Sequence, residues 1–222
     1  MIGLVTGIMV LALAATGTTW KTGRGTVYML RVTQDVSLER ATRNYNWLPY
    51  LMVSKLTDFP NKRSLVQFEN VPKSCSSSKI ISAKMYLYYV YAHKASWHSI
   101  QKTPFVARYM QVHRVKKSWK QAQATSTKRD YRQRWSTQYL GLDDNDAEAL
   151  PQGQTVTIFP FRPQGFVEFD ITRAVLQWRC GEPNYGVIIR ATNELQPGRG
   201  IRFASTVYRD KSKHPYVLVL CA

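Results

Sequence analysis

The sequence predicts an all-β fold, a jelly-roll β-sandwich with one short helix over about residues 172–179. Three observations carry that expectation. About ten short segments rich in β-branched and aromatic residues are bounded by turn formers. Phe166-Val-Glu-Phe-Asp-Ile171 alternates apolar and polar residues with the period of two of a half-buried strand. A single segment, Thr172-Arg-Ala-Val-Leu-Gln-Trp178, has helical character.

From the N-terminus, Met1 to Ala15 is an uncharged, apolar run of signal-peptide length that gives way at once to polar Thr16–Gly25. It is too short to span a bilayer. Residues 1–17 are read as a signal peptide, cut after Ala14 or Gly17, and residues 27–222 as one domain, because no Pro/Gly/Ser-rich linker divides them.

Strands are expected at about Val27–Thr33, Tyr50–Ser54, Ser64–Phe68, Ala83–Ala92, Phe105–Lys116, Thr155–Phe159, Phe166–Ile171, Gly186–Ala191, Ile201–Ala204 and Tyr216–Leu220. Regular alternation places Tyr89 and Tyr91 on one face with Met85 and Leu87, and Tyr86 and Tyr88 on the other with Val90. One of these faces is expected to pack in the core. The helix takes Thr172 as N-cap and Gly181 as its stop. Lys117–Gly153 is polar and the least strand-like part, a loop of the length that is usually functional or disordered.

The chain carries 31 Lys and Arg against 14 Asp and Glu, a formal charge of +17 with a pI near 10.0. Residues 1–17 hold none of these side chains, so the mature surface displays the whole excess. Such a field attracts any polyanion. Export narrows the partner to acidic polysaccharide or extracellular matrix and makes nucleic acid the lesser expectation; no membrane span is expected.

The excess concentrates in Arg108–Arg134, where Arg108, Arg114, Lys116, Lys117, Lys120, Lys128, Arg129, Arg132 and Arg134 face a single Asp130. Trp119, Tyr131 and Trp135 are interleaved. A cation beside an aromatic face suits a sugar ring carrying sulfate or carboxylate, through stacking and charge-assisted hydrogen bonds. These nine cations and Trp119 form the expected ligand-binding set, with Arg199, Arg202, Arg209, Lys211 and Lys213 as the alternative location.

The acidic cluster Asp143-Asp144-Asn145-Asp146-Ala147-Glu148 offers oxygen ligands, yet lacks the glycine and terminal Glu of an EF-hand loop. Internal pairing with the basic stretch is expected there ahead of calcium, and no metal site or cofactor is assigned. His93, His98, His113 and His214 form no HExxH or serine-hydrolase arrangement. No catalytic residue is assigned, and a polysaccharide lyase is the least favoured reading. There is no Asn-x-Ser/Thr sequon.

Cys75, Cys180 and Cys221 allow one disulfide and one leftover thiol, and composition leaves the pairing open. Cys75 precedes the strand starting near Ile80, and Cys221 ends the last strand. If those strands are antiparallel neighbours, the start of one lies beside the end of the other, and Cys75–Cys221 is the expected pair.

A series of motifs resembles the DNRLRE family, in that family's order. Gln34-Asp-Val-Ser-Leu38 is similar to its opening strand, and Asn44-Tyr-Asn-Trp-Leu-Pro-Tyr-Leu-Met-Val53 to its "N-Y-G…L-x-V" stretch. Lys62-Arg-Ser-Leu-Val-Gln-Phe-Glu-Asn-Val-Pro72 and Ile80-Ile-Ser-Ala-Lys-Met-Tyr-Leu87 follow. Val112-His-Arg-Val115 with Trp119 and Thr125, Phe169-Asp-Ile-Thr172 with Val175 and Trp178, and Asn184-Tyr-Gly-Val187 continue the series. Phe203-Ala-Ser205 and His214-Pro-Tyr-Val-Leu-Val219 close it, so that the resemblance covers about residues 27–222. Glu69 and His214 depart from the residues usual at those positions. The resemblance implies a jelly roll of the kind found as carbohydrate-binding modules of exported proteins, and no ligand-binding residue is carried over from it. The functional expectation is a secreted, non-catalytic module that recognises acidic polysaccharide or matrix; the alternative is a structural matrix or coat protein that assembles through protein–protein contacts.

Overall fold

A computed structural model of the chain describes residues 19–54, 61–93, 106–159, 161–196 and 198–222, with the backbone alone at 92 and 93. The expected signal peptide, His98 and the start of the strand expected from Phe105 lie outside these residues. The fold is all-β and antiparallel, with one helix. The described strands are β1 (Thr19–Thr22), β2 (Gly25–Leu38), β3 (Tyr50–Val53), β4 (Arg63–Phe68), β5 (Ile80–His93), β6 (Arg108–Arg114), β7 (Val156–Ile158), β8 (Gly165–Asp170), β9 (Val187–Ala191), β10 (Gly200–Ala204) and β11 (Tyr216–Cys221). Helix α1 (Thr172–Arg179) lies between β8 and β9.

Two layers enclose the core. The first holds β3, β10, β5, β11 and the start of β2, with β8 on β5 and β1 on β2. The second runs from the end of β2 through β4, β9 and β6 to β7. Strand β2 belongs to both: Thr26–Arg31 pair with β11, Val32–Leu38 pair with β4, and a register shift between Val32 and Gln34 marks the passage. A bulge bends a strand and increases its twist, which is how one strand serves two sheets.

Between the layers lie Val66 and Phe68 of β4, Met85 and Leu87 of β5, Val167 and Phe169 of β8, Val187 and Ile189 of β9, Phe203 of β10 and Val217 and Val219 of β11. The alternation read in 166–171 is thus observed, with Glu168 outward. On β5 the alternation breaks. Tyr89 pairs with Phe203 and Tyr91 with Arg202, two β5 steps against one on β10, and Tyr89 and Val90 are both buried. This bulge turns Tyr91 onto the outer face beside Arg202, away from Met85 and Leu87, where strict alternation had placed it.

One further detail differs from the sequence expectation. Ile171, with no side-chain cap, precedes the helix; Thr172 is its first residue, and its hydroxyl instead accepts from the Ala83 amide at 2.9 Å. Gly181 stands at the helix end with φ +105°, as a left-handed stop requires. Gly186, with φ +76°, lies against β4, and a Cβ there would sit 2.2 Å from the Val66 carbonyl oxygen. Asn184 secures that approach, accepting from the Gly186 amide and donating to the Phe68 carbonyl. The Asn-Tyr-Gly motif is therefore a backbone clamp. Buried hydroxyls fasten β3 across the two layers: Ser37 accepts from the Met52 amide, and Ser64 donates to the Met52 carbonyl.

Strand β11 pairs with β5, Cys221 lies opposite Ile80, and Cys75 is bonded to Cys221 across a Cα separation of 5.9 Å. Cys180 is free and exposed. The bond spans 146 residues of chain. Replacing Cys75 and Cys221 together by Ser is expected to lower unfolding stability by about 5 kcal/mol, the chain-entropy value for a loop of that length. Urea denaturation with and without reductant measures it, and an unreduced wild type no more stable than the double variant would contradict the prediction.

Candidate functional site

The long polar segment is folded onto the protein. Leu65 of β4 and Ile188 of β9 point away from the main core and, with Val36, Leu38 and Val115, leave an apolar patch on the outer face of the second layer. Trp119, Ala124, Trp135, Leu140 and Ala147 of the loop close over it as a second core. Each indole N–H reaches a carbonyl, Trp119 that of Tyr185 at 2.8 Å and Trp135 that of Thr125 at 3.0 Å. Leaving a buried indole N–H unpaired costs free energy, and these two bonds avoid that cost. The loop also ties itself together: Lys120 donates to the Arg129 carbonyl, Thr125 to that of Lys128, and the Asp146 carboxylate accepts from Ser136 and Gly141.

This packing divides the ten expected ligand-binding residues. Arg108, Arg114 and Trp119 are buried and face away from solvent, which corrects their assignment to a binding surface. Arg108 donates to the carbonyls of Arg199, Asn193 and Gln196, and burial pulls its guanidinium down to about 10, still charged at neutral pH. Arg114 pairs with Glu148 at 2.9 Å and with Glu182 at 3.3 Å. The other seven lie at the surface. Lys116, Lys117, Lys120, Arg132 and Arg134 are exposed, while Lys128 and Arg129 are half-buried. The Lys116 ammonium donates to the Asp144 carbonyl and Arg129 to that of Ser118. None of the seven forms an ion pair with a carboxylate among the described residues. Asp130, the one acid among them, spends its carboxylate on the amides of Arg132 and Gln133, and those bonds hold it below the usual carboxylate range.

The structure brings a second basic segment to this surface. The Asn44 side chain donates to the carbonyls of Gln121 and Ala124, both at 2.7 Å, and the Ser126 amide donates to the Arg40 carbonyl. Arg40 and Arg43 therefore join the loop cations. The Arg43 guanidinium lies 5.6 Å from the Tyr45 ring centre and 5.5 Å from that of Trp47. Sequence reasoning missed this segment, because nothing local in it announces a partner so far along the chain.

The expected internal pairing of the acidic cluster is present at Glu148. Burial alone would raise its carboxyl, but hydrogen bonds from Gln152, Gln177, Arg114 and Arg173 outweigh that and bring it to about 2. His113 lies beside it, its Nδ1 2.9 Å from the Glu148 carbonyl, and burial pushes the ring down to about 4. Among the described residues no group of three or more His, Cys, Asp or Glu is arranged to hold a metal ion.

The outer face of the first layer is covered with rings. Tyr86 stacks on Tyr216 at 5.0 Å, and Phe166 meets Tyr86, Tyr88 and Tyr216 edge-on. Arg202 stands over Tyr50 and Tyr91, and Lys213 over Tyr88. These contacts turn ring faces toward each other and toward cations of the chain itself, so they cover the sheet more than they offer stacking faces. Arg199 of the alternative cationic group is buried. An open cleft near the start of α1 is lined by Lys84, Glu168, Asp170 and Arg173, and Lys84 is paired with both acids. No helix of the described residues is long and apolar enough to cross a membrane. No family model matches the chain, and no curated protein is significantly similar to it.

Removing the Glu148 charge leaves buried Arg114 with only the longer contact to exposed Glu182 and strips Arg173 of its ion pair, so Glu148→Gln is expected to destabilise the fold by about 3 kcal/mol in urea. Acid acts on the same site. His113 binds its proton near 4 when folded against 6.5 ordinarily, so stability falls as pH drops through that interval. Glu148 adds a loss between 4.5 and 2. His113→Gln is expected to flatten the upper part of the profile and leave the lower; a wild-type urea midpoint constant from pH 6.5 to 4.5 contradicts this assignment.

Proposed function

We propose that this chain is an exported, non-catalytic binding module that holds acidic polysaccharide on the cationic face of its long loop. The observation that carries this reading is the second core. With Trp119 and Trp135 turned inward, Lys117, Lys120, Lys128, Arg129, Arg132 and Arg134 stand on the loop's outer surface, beside Arg40 and Arg43, without carboxylate partners among the described residues. Like charges held close together raise each other's energy, and an arriving polyanion relieves that repulsion. Pre-ordering the loop also lowers the entropy lost on binding.

Export rests on the uncharged apolar N-terminus and is supported by the disulfide, since such bonds persist in oxidising compartments. Outside the cell the abundant polyanions are sulfated and carboxylated glycans, which places acidic polysaccharide or matrix ahead of nucleic acid. The resemblance to DNRLRE modules agrees with this reading.

Lys117, Lys120, Arg132 and Arg134 are the residues to replace, and Arg114 is left intact because its ion pair is internal. Their joint replacement by Ala is expected to weaken binding to a sulfated glycan by well over tenfold, since each charge-assisted contact contributes on the order of 1 kcal/mol. The melting temperature is expected to stay within about 3 °C, because exposed cations contribute little to stability. Binding is also expected to weaken steeply with salt, the Debye length being about 8 Å at physiological ionic strength. Wild-type glycan affinity in the quadruple variant refutes this location.

A further inference from the structure

We infer that the cationic face carries a pyranoside-stacking subsite at Trp47, with Arg43 beside it to take the carboxylate or sulfate of the sugar that stacks; this deepens the proposed function and rests on it. Charge alone recognises any polyanion, so what selects a ligand class is an aromatic surface placed among the cations. Trp47 is 55% exposed and Tyr131 is 77% exposed, whereas Trp119 and Trp135 are buried.

Both exposed rings are anchored to one turn. Asn44, three residues before Trp47, donates to the carbonyls of Gln121 and Ala124. The Asn44 carboxamide oxygen also accepts from the Asn46 amide, which fixes the chain just before the indole. Tyr131 is tied to the same turn by its amide, which donates to the Gln123 side chain at 3.1 Å. Lys120 begins that turn, with the amides of Gln123 and Ala124 donating to its carbonyl. The two rings and the Lys120 cation are thus carried by one hydrogen-bonded unit braced on the second core.

Arg43 selects the class. Its guanidinium lies over the rings of Tyr45, which is buried, and Trp47, within 5.6 Å of both centres, so it backs one face of the indole while Trp47 stays 55% exposed for a sugar to reach. A planar fork held against an indole presents paired donors at the edge of a stacking surface. That places the positive charge within one ring's width of the apolar face, which matches a uronate or sulfated pyranose, where the acidic group is on the stacking ring or one bond from it. Inorganic polyphosphate has the charge but no ring. In a nucleic acid the base that stacks is separated from the phosphate by the sugar.

The test uses the full chain, with the variants Trp47→Ala and Trp47→Phe titrated with a sulfated pyranoside oligosaccharide, inorganic polyphosphate and single-stranded oligothymidylate at equal charge and salt. The expected result is that Trp47→Ala weakens glycan binding about tenfold, the scale of one lost stacking contact, and that Trp47→Phe restores most of it. Polyphosphate affinity is expected to change by less than about twofold, because its binding is set by cation number. Unchanged glycan affinity in Trp47→Ala overturns the subsite, as does an equal loss for glycan and polyphosphate. Tighter, Trp47-dependent binding of oligothymidylate than of glycan overturns the choice of a sugar. Wild type that binds none of the three overturns the proposed function itself, a result distinct from a wild type that binds glycan without need of Trp47. Should Trp47→Ala melt early, Trp47→Phe decides: the ratio of its glycan to polyphosphate affinity stays close to wild type if the ring stacks, and any loss shared equally by both ligands overturns it.

Discussion

The central strands of the second layer are apolar on both faces, and the remainder of the structure follows from that constraint. Val66, Val187 and Ile189 fill the space between the layers, while Leu65 and Ile188 stand on the opposite side of the same strands. A sheet of this kind needs cover on both sides. The first layer supplies one cover and the segment after β6 the other. The segment's apolar residues are drawn down onto the sheet, and its lysines and arginines are left outermost.

Covering a sheet with a loop creates a difficulty of its own, because irregular backbone carries polar groups that must be paired when buried. The loop meets it with side chains. Asp146 gathers three donors from Ser136 and Gly141, and Glu148 joins the loop to β6 through Arg114 and to α1 through Arg173 and Gln177. The acidic cluster, expected to pair internally ahead of binding calcium, supplies the polar framework of the cover through Asp146 and Glu148. Arg108 plays the matching part near the start of β6, gathering the carbonyls of Asn193, Gln196 and Arg199.

Much of the fold was legible in the sequence because alternation reports the faces of a strand. Phe166–Ile171 read correctly, and so did the Cys75–Cys221 pair, which followed from strand adjacency alone. Strand β1 was missed, since Thr-Trp-Lys-Thr is too short to show a period. The bulge at Tyr89–Val90 was hidden for a related reason: alternation predicts a face only while the register holds. At the candidate site the cations were legible as a set and illegible one by one. Arg108, Arg114 and Lys117 are alike as letters, yet the first two lie in the described strand β6 and turn inward toward carbonyls and carboxylates, while Lys117 lies beyond its end. Trp119 and Trp135 have no regular spacing that would mark a core, and Arg43 reaches the site only through a contact across distant sequence.

Strand order also bears on how the protein comes to be made. Within the first layer β2 and β5 are never in register with one another; both pair with β11, which lies between them. A ribosome delivers β11 long after its two neighbours, so nascent β2 and β5 must wait with facing edges open, and the layer closes only once that strand has emerged. Cys221 lies at the end of β11, so the covalent link to Cys75 cannot precede delivery of that strand. Completion of the layer thereby waits on a strand that follows both of its neighbours in the chain, and an oxidised Cys75–Cys221 pair reports that this strand has been delivered.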